Sequence, residues 1–273
     1  MAAIDTHAHA FTLDGGLAHG RRYTPDHAAP LEAYLAQLDG AGVAQGVLVQ
    51  PSFLGTDNSY LLQCLRARPE RLRGIAVVDP SCDAAAISAM RADNVVGLRL
   101  NLFGLDHAFV VEPDWQRLFG RAAEHDWQIE IHTTGKDIPF LLSALWPSGA
   151  NIVIDHFGRP DPAAGLADPG IEAMLAKADS GRIWIKLSGP YRCEGHPNLY
   201  ARAFLDAFGA DRLMWGSDWP WTQHAEGKTF AKTLGWLSDW IPDESVRHIV
   251  LETTPRALFK FDVSATARLP AGR

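Results

Sequence analysis

Several features that would assign this chain to another class are missing. Its three cysteines, Cys64, Cys82 and Cys193, are odd in number and widely spaced, which argues against a disulfide framework or a cysteine metal site. No apolar run approaches the ~18 residues that span a bilayer. The first apolar strand begins at Ile4, too early to follow a charged n-region and a signal h-region. The formal charge is −7 with basic residues scattered along the chain, so neither nucleic acid nor a membrane surface is an expected partner. No G-x-G-x-x-G turn follows the first strand, which disfavours a doubly wound dinucleotide-binding sheet. There is no linker, no repeat and no low-complexity segment. The expectation is a cytoplasmic protein, with homo-oligomerisation left open.

What the chain does contain is a strict alternation. Short runs rich in Val, Ile and Leu fall at 2–8, 45–50, 73–78, 95–101, 127–132, 151–156, 182–188 and 212–217. Amphipathic stretches such as "PLEAYLAQLDGAG", "DAAAISAMRAD" and "DWQRLFGRAAEHD" separate them, several opening on Asp, Asn or Pro and closing on Gly, as helix caps do. Alternating strands and helices imply right-handed crossovers and a parallel sheet. Eight units in 273 residues favour closure, so the predicted fold is α/β, a single (β/α)8 TIM barrel over 1–261 with a C-terminal tail over 262–273.

Chemistry-bearing residues close these runs. His7 and His9 end "AIDTHAH", His132 ends "WQIEIH", His156 ends "NIVIDH", and Asp218 follows "RLMWGS". In a parallel barrel the carboxyl ends of the strands surround one mouth, where catalytic residues collect. Residues i and i+2 of a strand share a face, so His7 and His9 can share one ion. A lone H-x-H pair is compatible with ordinary packing; the pair together with three further strand-end residues is not. Taken singly, Asp218 also reads as a helix N-cap and His156 as a core histidine.

"DTHAH", "IEIH", "DHFGRP" and "WGSDWP", in this order, resemble the amidohydrolase superfamily, and within it the lactone-hydrolase branch related to 2-pyrone-4,6-dicarboxylate lactonase. "RRYTP", "GVLVQPSFLGTDN", "GLRLN" and "KLSGPYR" extend the likeness from about residue 3 to 261. The resemblance implies an amidohydrolase-type barrel that hydrolyses an ester-like C–O bond in a small acidic lactone, pyrone dicarboxylate-like, muconolactone-like or derived from a sugar acid. Its single-ion members imply His7, His9, His132 and Asp218 as ligands of one divalent metal, zinc or manganese, with His156 polarising the substrate carbonyl or orienting the water. The dicarboxylate lactonase works without metal and has tyrosine where His132 stands, so metal-free catalysis, with Asp218 alone as base, stays open.

Arginines at strand ends suit anionic substrates because the guanidinium fork matches a carboxylate. By the resemblance, Arg99 and Arg192 are carboxylate clamps, with Tyr23 and Ser52 as hydrogen-bonding partners. Arg159 is a further substrate contact or, alternatively, a structural salt bridge in its loop. The lactonase carries one more arginine after the fourth strand. "NLFGLDHAF" has none there, only His107, which points to one strongly bound carboxylate or a different second anion. Asp5, Glu130 and Lys186 are expected inside the barrel, on the faces of His7, His132 and Ser188. Buried charges must pair, so Lys186 is read as the partner of a carboxylate; a Schiff-base lysine is the alternative. A metal-dependent decarboxylase of an aromatic or muconate-type acid is the rival function. Isomerisation of a sugar lactone and non-catalytic binding of an acidic metabolite stand behind it.

Overall fold

Strand and helix alternate through the whole described chain, residues 2–193 and 196–262 of a computed structural model. The strands are β1 (Ile4–Ala8), β2 (Gln45–Val49), β3 (Leu72–Ala76), β4 (Val95–Asn101), β5 (Gln128–His132), β6 (Ile152–Ile154), β7 (Ile183–Ser188) and β8 (Leu213–Gly216). Each is parallel to the next in chain order. The helices that follow them are α1 (Leu31–Gly40), α2 (Ser59–Ala67), α3 (Ala84–Ala92), α4 (Pro113–Glu124), α5 (Ile138–Leu145), α6 (Pro169–Leu175), α7 (Pro197–Phe208) and α8 (Phe230–Trp240). This is the (β/α)8 barrel expected of the sequence. Of the expected tail 262–273, all but Asp262 lies outside the described residues. No helix among the described residues is long and apolar enough to cross a membrane.

Local chemistry sets the helix starts. The Asp83 carboxylate accepts from the Ala86 N–H, Asp168 from Gly170 and Ile171, and Thr229 Oγ1 from Lys232, each satisfying an otherwise orphaned first-turn donor. Pro113, Pro169 and Pro197 occupy first-turn positions, where a missing N–H costs nothing. The outer faces of the strands and the inner faces of the helices form one continuous apolar layer.

The barrel interior is divided. Its lower half is apolar, with Ile4, Val47, Val49, Ile75, Val153 and Met214 packed against Phe259 and Phe261. The C-terminal segment holds these rings under the barrel through the starts of β3 and β5: Arg73 donates to the Lys260 carbonyl and Gln128 to that of Leu258. The upper half is polar and charged, and it opens at the mouth.

One irregularity sets up the mouth. Between Asp5 and Ala8 the register of β1 against β2 shifts, three steps on β1 matching two on β2. This bulge resets the alternation, as bulges beside functional sites do. Asp5 points out of the barrel, toward Tyr34 of α1, and therefore does not share the face of His7 as simple alternation predicts. Beyond the bulge, the segment after β8 closes the barrel onto β1. The Asp218 N–H donates to the His7 carbonyl and the His9 N–H to that of Trp219, each at 2.8 Å. Gly216 allows this closure, because a Cβ there would lie 2.6 Å from that of His7.

Candidate active site

All four strand-end histidines and Asp218 are buried at the barrel mouth, and three of the imidazoles aim at one atom. His7 Nε2 lies 3.9 Å, His9 Nε2 3.8 Å and His156 Nε2 3.9 Å from Asp218 Oδ1. The far nitrogen of each ring is occupied. His9 Nδ1 is 2.7 Å from the Val49 carbonyl, which can only accept, so Nδ1 carries the proton and Nε2 a bare lone pair. His156 Nδ1 is 2.8 Å from Ser188 Oγ. His7 Nδ1 sits between Asp155 Oδ1 at 3.1 Å and Lys186 Nζ at 3.2 Å. Burial is the first cause holding all four rings neutral: His9 is pushed down to about 4, His156 to about 3, and His7 and His132 well below the usual imidazole range.

Asp218 stays ionised for the opposite reason. Burial works against its charge, but its neighbours, the Arg192 guanidinium foremost, outweigh it and hold the carboxyl well below the usual range. Arg192 Nε at 2.5 Å and the Tyr191 hydroxyl at 2.6 Å both donate to Oδ2. Among the described residues Oδ1 is left without a hydrogen-bond partner, as is His7 Nε2.

An orphaned carboxylate oxygen faced by imidazole lone pairs is a set of acceptors lacking a donor, which a cation satisfies. His7, His9 and Asp218 each offer an atom within 4.8 Å of the others, the mixed nitrogen and oxygen donor set of zinc-type sites. These residues fit a divalent ion. The fourth ligand implied by the resemblance, His132, is not in that group. Its Nδ1 is 3.1 Å from Asn101 Oδ1, and its Nε2 is 3.2 Å from Arg159 Nη1, so both ring nitrogens already have partners.

Beneath the histidines lies a buried charge cluster. Lys186 Nζ is 2.5 Å from Glu130 Oε2 and 3.5 Å from Asp155 Oδ1, and Arg99 donates to Asp155 Oδ2 at 2.9 and 3.2 Å. Two carboxylates meet two cations, as buried charges require. Burial and the neighbouring Asp155 push Glu130 up, while Lys186 and Arg99 pull it back. Burial also opposes ionisation of Asp155, but His7, Lys186 and Arg99 prevail and hold it well below the carboxylate range. Lys186 is thus the ion-pair partner expected of it.

The cavity above this layer is lined by every substrate contact named from the sequence: Tyr23, Ser52, Arg99, Arg159 and Arg192. Arg99 and Arg192 are already committed, to Asp155 and Asp218. Among the described residues Arg159 makes no salt bridge in its loop; its guanidinium lies over the Phe103 ring, 3.8 Å from the centroid. A fourth arginine, Arg22, reaches the same wall from the loop after β1. It donates to the Phe103 carbonyl at 2.9 Å and to Asn101 Oδ1 at 2.7 Å, and lies 5.3 Å from the same ring. Arg22, Phe103 and Tyr191 escaped the sequence reading. Arg22 and Tyr191 stood inside the quoted motifs "RRYTP" and "KLSGPYR", but neither ends a strand. The flanking tryptophans are walls: Trp219 packs on Tyr34 and Trp221 donates to the Ser217 carbonyl.

Residues 4–261 match the amidohydrolase family model. Among curated relatives, the chain is 30% identical over 270 residues to a 4-sulfomuconolactone hydrolase of Rhizobium radiobacter, covering 94% of this chain and 89% of that one. It is 29% identical over 257 residues to a 2-pyrone-4,6-dicarboxylate hydrolase of Comamonas testosteroni, covering 88% and 83%. Among solved structures it is similar to a probable 2-pyrone-4,6-dicarboxylic acid hydrolase of Acinetobacter baumannii with citric acid bound, at TM-score 0.90 and 37% identity over 96% of this chain and 100% of that one. A strand-end H-x-H pair and aspartate on a closed (β/α)8 barrel, with a family match from the first strand to the last described turn, lead to one conclusion: the chain belongs to the amidohydrolase family.

Proposed function

We propose that this enzyme hydrolyses a small lactone bearing at least one carboxylate. The observation that carries this reading is the arginine wall. Arg22 and Arg159 line the cavity, and among the described residues neither has a carboxylate within 4 Å. Burial and the charges of Arg192 and Arg22 lower Arg159 to about 10. Two cations with no carboxylate partner among the described residues, beside one ring, form a receptor for an anion, and a guanidinium binds a carboxylate through paired, charge-assisted hydrogen bonds. Arg22 stands over the loop after β4, the segment in which the sequence offers no arginine, so a second carboxylate has a partner after all. The citric acid of the Acinetobacter relative, with three carboxyl groups on a small frame, has matching chemistry, and the names of the other relatives supply the lactone.

In this reading the substrate carboxylate docks on Arg22 and Arg159, placing the ring carbonyl over His156 and Asp218. Bound by His7, His9 and Asp218, a divalent ion of the zinc or manganese kind supplies Lewis acidity, lowering the pKa of a water and polarising an ester carbonyl. The Asp218 carboxylate takes the proton of the attacking water, while Arg192 and Tyr191 keep it from turning. The water oxygen bonds to the carbonyl carbon, and His156, neutral and fixed by Ser188, orients it. The ring C–O bond then breaks, and the proton held on Asp218 passes to the leaving oxygen. The product is a carboxylic acid plus a hydroxyl group, so each turnover near pH 7 releases one proton and no carbon dioxide.

The test is a panel of carboxylated lactones and their methyl esters, followed by a pH indicator and by headspace carbon dioxide. Proton release from the acids, with little turnover of the esters, is expected. Carbon dioxide release, or equal turnover of the neutral esters, would overturn the reading.

A further inference from the structure

Asp5 does not touch the mouth, yet its carboxylate makes four hydrogen bonds at the one place where the barrel is stitched shut. Oδ1 accepts from the Ser217 N–H at 2.8 Å and the His7 N–H at 3.2 Å. Oδ2 accepts from Ser217 Oγ at 2.6 Å and the Tyr34 hydroxyl at 3.0 Å. Ser217 Oγ in turn accepts from the Trp219 N–H at 3.0 Å. One buried carboxylate thus fixes the residue before Asp218 by both of its donors, and through Ser217 Oγ also the residue after it.

That turn needs fixing. Asp218 has φ +58°, in the left-handed region that non-glycine residues rarely adopt and that persists only where the surroundings over-determine it. In that conformation its N–H reaches the His7 carbonyl while Oδ1 meets the three imidazoles. The Asp5 side chain is available because it points out of the barrel, opposite to the inward Ile4, and the bulge that follows it brings His7 inward.

We infer that Asp5 is a positioning residue, which acts through Ser217 to hold Asp218 against His7, His9 and His156. This rests on the reading of Asp218 as part of the active centre. A positioning role moves turnover and ion affinity while leaving substrate binding, carried by the arginines, nearly untouched. Loss of a group supporting a ligand changes metal affinity or activity by about 10- to 100-fold.

The experiment compares Asp5→Asn, Ser217→Ala and Asp218→Asn with the unaltered enzyme. It measures kcat and KM on a carboxylated lactone, zinc affinity by titration of the metal-stripped protein with zinc alone, and the unfolding midpoint. For Asp5→Asn we expect kcat and zinc affinity each to fall at least about tenfold with KM changed by less than about threefold. Ser217→Ala retains the backbone bond and should show a smaller loss of the same pattern. Native kcat and zinc affinity in Asp5→Asn would overturn the inference, as would a lowered unfolding midpoint as its only change. Should Asp5→Asn fail to fold, Ser217→Ala carries the test, and native values there overturn it. An Asp218→Asn enzyme that keeps full activity would instead overturn the active-site reading itself; an inactive Asp218→Asn beside a fully active Asp5→Asn would overturn only the role of Asp5.

Discussion

His7 Nε2 and Asp218 Oδ1 face each other across 3.9 Å at the barrel mouth, and neither has a hydrogen-bond partner among the described residues. Two buried acceptors in that relation cost free energy unless a cation or a donor joins them. The metal-stripped protein is therefore expected to take up about one zinc or manganese per chain. His9→Asn and Asp218→Asn should each weaken that uptake by at least about tenfold, whereas His132→Asn, whose ring is held by Asn101 and Arg159, should shift it less than about threefold. Calorimetric titration with the metal alone decides this. A His132→Asn protein as impaired as Asp218→Asn would put His132 back among the ligands.

Arg22 and Arg159 share the Phe103 ring and, among the described residues, lack a carboxylate partner, so their removal should be felt in substrate binding. A charge-assisted hydrogen bond contributes about 1.5–3 kcal/mol, or roughly 10- to 150-fold at 1.4 kcal/mol per tenfold. Arg22→Met and Arg159→Met are each expected to raise KM for carboxylated lactones within that range while kcat changes by only a few-fold. Steady-state kinetics on acid and ester forms of one lactone provide the check. A KM that rises equally for both forms would mean lost packing and not a lost charge.

The layer of histidines and aspartate at the mouth was legible because strand alternation is a strong physical constraint. Residues at strand ends in a parallel barrel must converge, so His7, His9, His132, His156 and Asp218 could be gathered before any coordinates. Asp5 was not legible, because a bulge changes which face a residue occupies without leaving a mark in the composition of a five-residue strand. Arg22 was missed because it sits in the long irregular loop after β1, where no periodicity says which side chain turns inward. The link between Arg159 and His132 depends on left-handed backbone at His156, Phe157 and Arg159, which folds the loop back over its own strand end. Such turns at non-glycine residues are set by tertiary contacts and cannot be read from the local sequence.

The cysteines should be nearly inert in the folded protein. Burial pushes the Cys64 and Cys193 thiols up to about 12, so the reactive thiolate is scarce at pH 8. Cys82, half-buried, is also raised by burial, but it is the one a reagent can reach. Iodoacetamide at pH 8 should add at most one group to the native chain, slowly and at Cys82, and three after denaturation. Intact-mass spectrometry reads the count directly, and rapid native labelling of Cys193 would contradict its burial.

Lys186 offers a test of the layer beneath the site. Its ammonium, fully buried, answers Glu130 at 2.5 Å while Arg99 answers Asp155 at 2.9 Å. Lys186→Met fills the same space but leaves two buried carboxylates with a single cation. Removing one partner of a buried pair costs about 3–5 kcal/mol, whereas removing both can be nearly neutral. The single variant should lose about that much in urea unfolding, and Lys186→Met combined with Glu130→Gln should recover at least half of it, since the Arg99–Asp155 pair survives. Because Nζ is engaged in the ion pair, borohydride with a carbonyl substrate should leave no adduct on Lys186. A single variant of unchanged stability, or a double variant no better than the single, would show that Lys186 and Glu130 do not compensate each other.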